Sequence, residues 1–147
     1  QLDSKVDELD AQIKECVRGI DPPCLSIPGV GELSAAMILS EFGDFSKFQN
    51  PSKMLAFAGL EPGYFQSGQS EYTGHMVKHG SSRLRYALMN CCLPLISNEP
   101  VFAAYYAKKR SEGKPHRVAL THVAKKLLRV IYTLQTKNIR YDPTMIH

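Results

Sequence analysis

Long apolar runs are absent from this sequence of 147 residues. The longest extend over about seven residues, as from Val101 to Ala107, far short of the roughly 18 that a membrane-crossing helix needs. No membrane partner is expected. Carboxylates are scarce in the second half: residues 62–147 hold only Glu71, Glu99, Glu112 and Asp142, and no Asp stands between Gly63 and Arg140. Metal-assisted phosphoryl transfer needs several converging carboxylates, and these four are spread over different segments. Glu41 and Asp44, three apart near a helix end, read as capping and solvated groups. The chain is therefore expected to hold no metal ligands and no cofactor of its own. Cysteine is limited to Cys16, Cys24, Cys91 and Cys92. The adjacent pair cannot chelate like Cys-x-x-Cys, and no histidine lies at finger spacing, which argues against structural zinc and for thiols in a reducing cytoplasm. No basic and apolar leader is present, and Gln1 already lies in a charged periodic segment, so the chain reads as the later part of a longer protein without a secretory signal.

Charge, by contrast, is abundant and unevenly placed. Residues 1–61 carry 5 Lys/Arg and 10 Asp/Glu, whereas residues 62–147 carry 13 Lys/Arg and 4 Asp/Glu, together with all five histidines. A net charge of +4 thus hides an acidic half and a strongly basic one. Such asymmetry points to contact between the basic half and nucleic acid or another polyanion.

Apolar periodicity predicts a mainly α fold. Leu2, Val6, Leu9, Ile13 and Cys16 recur at spacings of four and three, with charged residues between them. This heptad seam marks residues 1–20 as a coiled-coil-like linker helix, ended by Asp21, Pro22 and Pro23. About two and a half heptads are too few to be stable alone, so the helix is expected to continue upstream or to pack on a partner. Residues 25–48 read as a helix-hairpin-helix element: Gly29 and Gly31 bracket Val30 in a tight turn, and Leu33, Ala36, Met37 and Leu39 follow at helical spacing. The glycines let backbone approach a phosphodiester, and the next helix N-terminus adds positive partial charge. Against that role, Glu32 sits where the phosphate would approach, so packing on protein is the other option. Asn50 and Pro51 start a short helix, which Pro62 and Gly63 stop. Residues 63–80, with four glycines and no sustained period, are expected to form a long Gly/Ser-rich loop of functional kind. A helical bundle over residues 81–140 completes the fold. Leu84, Leu88, Cys91 and Leu95 form a stripe in its first helix, where Pro94 predicts a kink; Phe102, Tyr105 and Tyr106 lie in its second and, with the heptad helix, offer a surface for assembly. Val118, Val123, Leu127, Val130, Ile131 and Leu134 face the core from its last helix, leaving Lys125, Lys126 and Arg129 on the outer, phosphate-facing side.

Nucleophilic serine is the chemistry this composition leaves open. Ser67 and Ser70 sit in the loop among glycines and tyrosines, but Phe65 and Gln69 flank Ser67 where a hydrolase elbow has glycine, and no nearby Asp could complete a triad. Attack on a phosphodiester fits better, with Lys78, Arg83 and Arg85 stabilising charge on the phosphoryl oxygens.

The ordered set "IPGVG", "FAGLEP", "QSGQS", "VKHGSSRLRYAL" and "HRVALTHVAKKLLRVIYTL" resembles the C-terminal transposase domain of the insertion-sequence 110/116/902 family, which includes the Piv DNA invertase. The resemblance covers about residues 24–142, and the upstream heptad helix resembles the coiled coil that joins this domain to a RuvC-like one. It implies a DNA transposase or site-specific recombinase that pairs a metal-binding carboxylate tetrad in the N-terminal domain, with Mg2+, and a serine in the C-terminal domain. Ser67 would be the nucleophile that becomes linked to cleaved DNA, with Ser70 the second candidate. The family's Lys-x-Gly-Asn-x-x-Leu-Arg signature falls on Lys78, Gly80, Leu84 and Arg85, with Ser81 in place of Asn. The implied partners are DNA, a guide RNA as in the bridge-RNA-guided members, and further copies through the coiled-coil helix. The implied location is the bacterial cytoplasm at the nucleoid. Alone, this chain is expected to be inactive. The alternative is a helix-hairpin-helix DNA-binding or assembly module without chemistry.

Overall fold

Helix α1 (Leu2–Ile20) stops where Asp21 takes a left-handed φ of 51° ahead of Pro22 and Pro23. The structure, a computed structural model, describes the backbone of residues 2–60 and 70–145 and the side chains of 2–60 and 82–145. Proline cannot continue the helical hydrogen-bond ladder, and the chain instead makes one 3-10 turn, Pro23–Ser26. A glycine turn then leads into α2 (Glu32–Phe42). α3 (Pro51–Phe57) begins as its sequence predicts: the Asn50 side chain accepts a hydrogen bond from the Lys53 amide at 3.2 Å, and Pro51 occupies the first turn. α4 (Ser70–Asn98), α5 (Pro100–Ser111) and α6 (His116–Lys137) follow. Among the described residues every regular element is helical, in accord with the mainly α expectation.

The core lies between α4 and α6, with α2, α3 and α5 packed around them. α4 contributes Leu84, Ala87, Leu88, Cys91, Cys92 and Leu95, and α6 contributes Val123, Leu127, Leu128, Ile131 and Leu134. Each fully buried branched side chain of this kind stabilises the fold by about 1.5–3 kcal/mol relative to exposure. Two positions depart from the sequence pattern. Val118, expected in the core face of α6, is exposed, because it shares a side of the helix with His122, Lys125 and Arg129, while its neighbours Ala119 and Leu120 face inward. In α2 the buried face is Ala35, Ile38 and Phe42, whereas Leu33 is exposed and Ala36 and Met37 are only half-buried toward α1. A helix whose middle, Ala35 to Leu39, is wholly apolar does not reveal by period alone which side faces in. Phe42 leads a cluster in which its ring lies 5.3, 5.5 and 5.7 Å from those of Phe45, Phe48 and Phe57. The Tyr132 hydroxyl of α6 donates to the Phe48 carbonyl at 3.0 Å and ties the cluster to the bundle.

The expected loop over residues 63–80 requires correction at its second end. Ser70–Gly80 is helical and continuous with the segment after Ser81, so α4 starts at least eleven residues before the expected cap. Gly74 and Gly80 suggested a loop, yet a helix interior glycine costs only about 1 kcal/mol, and a helix already nucleated by its packed half propagates readily. The remainder of that loop, including Ser67, lies outside the described residues. Pro94 stays inside α4. The Asn98 side-chain amide donates to the Pro94 carbonyl at 2.7 Å.

The hairpin glycine is fitted against this same turn of α4. Gly29 has φ of 103°, and a β-carbon added there would lie 2.7 Å from the Leu95 nitrogen and 2.8 Å from its Cα. Only a residue without a side chain permits that approach and that φ together. At the far end of the chain Asn138 closes α6 with a left-handed φ of 53°. The tail then returns across the α1–α2 junction: Arg140 pairs with Asp21, the Tyr141 amide donates to Ser26 Oγ at 2.8 Å, and Gln135 accepts from the Cys24 amide at 2.9 Å.

α1 differs from the rest because only Val17 is buried, while Leu2, Val6, Leu9 and Ile13 are exposed, Leu2 by 81%. Its contact is with α2, where Arg18 pairs with Glu32. The heptad seam is thus uncovered within this chain.

Gly29→Ala is expected to destabilise the protein by about 2–4 kcal/mol, from overpacking and backbone strain. Thermal unfolding should show a midpoint lowered by at least about 5 °C. Gly31→Ala meets open space and should cost at most about 1 kcal/mol.

Candidate nucleic-acid interface

The basic residues expected to meet phosphate fall on three separate places. Lys78, Arg83 and Arg85 share α4. Lys78 and Arg85 are seven residues apart, about two turns, so the backbone sets the two positions on one face, while Arg83 stands about 200° around from Arg85. Arg85 is exposed. Arg83 leans to α2, where its guanidinium lies 3.4 Å from the Glu41 carboxylate. That pair lines a groove between α1, α2 and α4 together with Asp10, Ile13, Leu33, Met37 and Ser40.

Gly29 and Gly31 form the second place. Gly29 is enclosed by the α4 backbone. Gly31 caps α2, its carbonyl accepting from the Ala35 amide at 2.9 Å, and it is exposed. The Cys91 thiol lies under this turn: burial pushes its pKa up, and hydrogen bonding with the Ser34 side chain and Gly31 backbone opposes the rise. Burial likewise pushes Cys24 and Cys92 up to about 12. These three thiols are packing groups, protonated at any physiological pH. Among the described residues no group of three His, Cys, Asp or Glu side chains could hold a metal ion.

The third place is the surface shared by α5 and α6. Lys125 and Lys126 are half-buried and Arg129 is exposed on α6. α5 brings more cations to them than periodicity suggested. The Tyr105 ring holds two ammonium groups, Lys109 Nζ at 5.3 Å and Lys126 Nζ at 4.7 Å from its centroid. Burial lowers the Lys126 pKa, and repulsion from Arg129 and Lys108 lowers it further. Burial also lowers His122, with Lys109, Lys125 and Lys114 adding to the effect and Glu112 opposing it. Lys108, Lys109, Lys114, Tyr105 and His122 were not singled out as phosphate-facing by the sequence pattern, although the run Lys108, Lys109, Arg110 was a visible signal. The pairing of Phe102 with Tyr105 and Tyr106 as one outer surface does not hold. Phe102 is fully buried, whereas Tyr106 Oη lies 2.6 Å from His116 Nδ1 and joins α5 to the start of α6.

Among the described residues α5 and α6 carry eight Lys/Arg and no acid, while α1 and α2 carry seven acids and three Lys/Arg. The chain belongs to the Transposase IS116/IS110/IS902 family, whose family model matches residues 23–107. It is 29% identical over 139 residues to the insertion element IS110 43.6 kDa protein of Streptomyces coelicolor, covering 93% of this chain and 34% of that protein. Over 145 residues it is 30% identical to the IS900 42 kDa protein of Mycobacterium paratuberculosis, covering 97% of this chain and 36% of that one. The pilin gene-inverting protein of Moraxella bovis is 29% identical over 119 residues, 80% of this chain and 37% of its own length. The chain therefore spans about a third of the length of the curated relatives it matches. Among the described residues no helix is long and apolar enough to cross a membrane.

The lowered pKa of His122 predicts a pH effect on stability. The unfolded chain binds a proton at this site more readily than the folded one, so stability falls as pH drops through the ordinary histidine value near 6.5 toward the lower folded value. His122→Gln should lose less stability than the parent between pH 7.5 and 5, as read by urea unfolding at each pH.

Proposed function

We propose that this chain is the C-terminal part of a DNA transposase or site-specific recombinase in which Ser67 attacks a phosphodiester. The observation that carries the reading is membership of a transposase family together with a serine-containing segment that leads into a helix bearing Lys78 and Arg85. In the proposed step Ser67 Oγ bonds to phosphorus as the P–O bond to one DNA oxygen breaks, and the serine proton ends on that leaving oxygen, giving a DNA hydroxyl and a phosphoserine link. Lys78 and Arg85, on one face of α4, stabilise charge on the phosphoryl oxygens. Arg83, about 200° around the helix from Arg85 and paired with Glu41, faces a different side and is left out of this contact. Ser70 is the second candidate nucleophile.

The residues described in this chain do not fit a divalent cation, so no step here is routed through one. Mg2+ is assigned to a carboxylate domain elsewhere in the full-length protein. Within the proposal this chain alone is inactive, works in the cytoplasm at the nucleoid, and meets DNA, a guide RNA and further copies of itself. The exposed seam of α1 supports assembly as a coiled coil: Leu2, Val6, Leu9 and Ile13 leave an apolar stripe open along one helix, and covering such a stripe with a second copy is favourable. A helix-hairpin-helix module that only binds DNA is the weaker reading, because the Gly29 turn is closed by α4.

Strand cleavage by full-length protein tests the nucleophile. Wild type should yield a covalent protein–DNA adduct that Ser67→Ala abolishes; an adduct that persists in the variant rejects Ser67. For assembly, the double substitution Val6→Asp and Leu9→Asp should lower the mass of the full-length protein in light scattering while leaving its helical content unchanged.

A further inference from the structure

Between Pro100 and Arg140 the sequence has ten Lys/Arg and one acidic residue, Glu112. Folding concentrates these charges further. Lys108 and Lys109 at the end of α5, Lys114 in the turn, and Lys125, Lys126 and Arg129 on α6 come within electrostatic reach of one another around Tyr105 and His122. Glu112 lies 3.4 Å from Lys109 Nζ and is the one carboxylate among these groups. Like charges crowded this way oppose folding, and a neutralising partner outside the chain would relieve them.

The corner that carries the charges is also held in shape. Tyr106 and His116 lock α5 to α6 with a contact at 2.6 Å and an edge-to-face ring packing. The Arg110 guanidinium donates to the Lys114 carbonyl at 3.2 Å and closes the turn. Ser111 Oγ donates to the Lys108 carbonyl at 2.7 Å. The Tyr105 ring restrains two long side chains that would otherwise be free, through cation–π attraction. Restraining lysine ammonium groups before binding removes part of the entropy cost of ordering them on a ligand.

We propose that the α5–α6 corner is a preorganised contact surface for the phosphate backbone of duplex DNA, with Tyr105 positioning Lys109 and Lys126. The proposal rests on the reading of the chain as part of a DNA recombinase, and it adds a surface that the nucleophile and its helix do not require. Contacts of lysine with backbone phosphates carry no sequence information, so this surface sets register and affinity, and target choice lies elsewhere. Aromatic restraint of two ammonium groups suits neighbouring phosphates of one strand. The corner also lacks an exposed aromatic platform on which unstacked bases could lie, the usual device for single strands, since Tyr105 and Tyr106 are both engaged. Duplex DNA is thereby favoured over single-stranded RNA.

The test is fluorescence anisotropy of the full-length protein on a non-target duplex across a potassium chloride series. K108Q/K109Q/K126Q should weaken binding at 0.1 M salt by about tenfold or more, and the slope of log affinity against log salt should become shallower by about 0.9 for each lost contact. K126Q alone, which keeps the Lys109 and Glu112 pair, should remove about one contact's worth of slope. Lys→Arg at the same three positions should retain the parental slope. Tyr105→Leu keeps every charge, so it should weaken binding several-fold at constant slope; a merely structural role for the ring would lower the unfolding midpoint and leave affinity in place. Parental affinity and slope in both Gln variants overturn the proposal, as does tighter binding of an RNA stem-loop than of the duplex in competition. Failure of the catalytic reading shows separately: no covalent adduct from wild type, yet loss of duplex binding in the Gln variants, rejects the Ser67 chemistry and upholds the surface.

Discussion

The close approach of the Gly29 turn to the backbone of α4 at Pro94 and Leu95 is the constraint on which the arrangement depends. It places the start of α2 directly on the central helix, which lets Ala35, Ile38 and Phe42 enter the core and seals Cys91 beneath the turn. The same fit orients the short 3-10 turn behind it, where the tail of the chain returns to fasten Cys24 and Ser26. α1 leaves that junction with Val17 buried and two exposed ion pairs beside it, Arg18 with Glu32 and Asp21 with Arg140. A single missing side chain thus seats the turn before α2 on the bundle. Contacts separated by more than a hundred residues in sequence depend on it.

Charge segregation is the second organising feature, and it acts in the opposite sense to packing. α1 and α2 carry seven of the fourteen acids against three Lys/Arg, and α5 and α6 carry eight of the eighteen Lys/Arg and no acid, so like charges are close neighbours on each side. Apolar burial along α4 and α6 outweighs the repulsion that this imposes. The half-buried placement of Lys126 and His122 shows the cost locally, as both are pushed toward their neutral forms. A surface arranged this way gains from a polyanion what it loses by being folded without one.

Local sequence was a good guide where local physics decides. The cap at Asn50 and Pro51, the end of α1 at Asp21 to Pro23, and the buried stripe of Leu84, Leu88, Cys91 and Leu95 were all readable because spacing and backbone chemistry act within a few residues. Glycine was read less well. Gly74 and Gly80 suggested a loop where the helix continues, since the modest penalty of an interior glycine is offset by a long helix packed further along. Gly29 left a phosphate cradle and packing on protein both open, and its lack of a β-carbon is used against protein backbone. Val118 was grouped with the core although its period places it with His122, Lys125 and Arg129, and Phe102 was grouped with Tyr105 and Tyr106 although period says nothing about where along a face a neighbour begins.

The sequence by itself determined the mainly helical class, the division into an acidic and a basic half, and the ordered motifs by which the family could be recognised. These are properties of composition and short spacing, which survive in the unfolded chain. Only the tertiary structure decided which face of α2 is buried and what Gly29 is for. It also brought Lys109 of α5 and Lys126 of α6 onto one tyrosine ring. Those outcomes require two distant segments to meet, and the energy that selects the meeting comes from core packing between helices rather than from either segment alone.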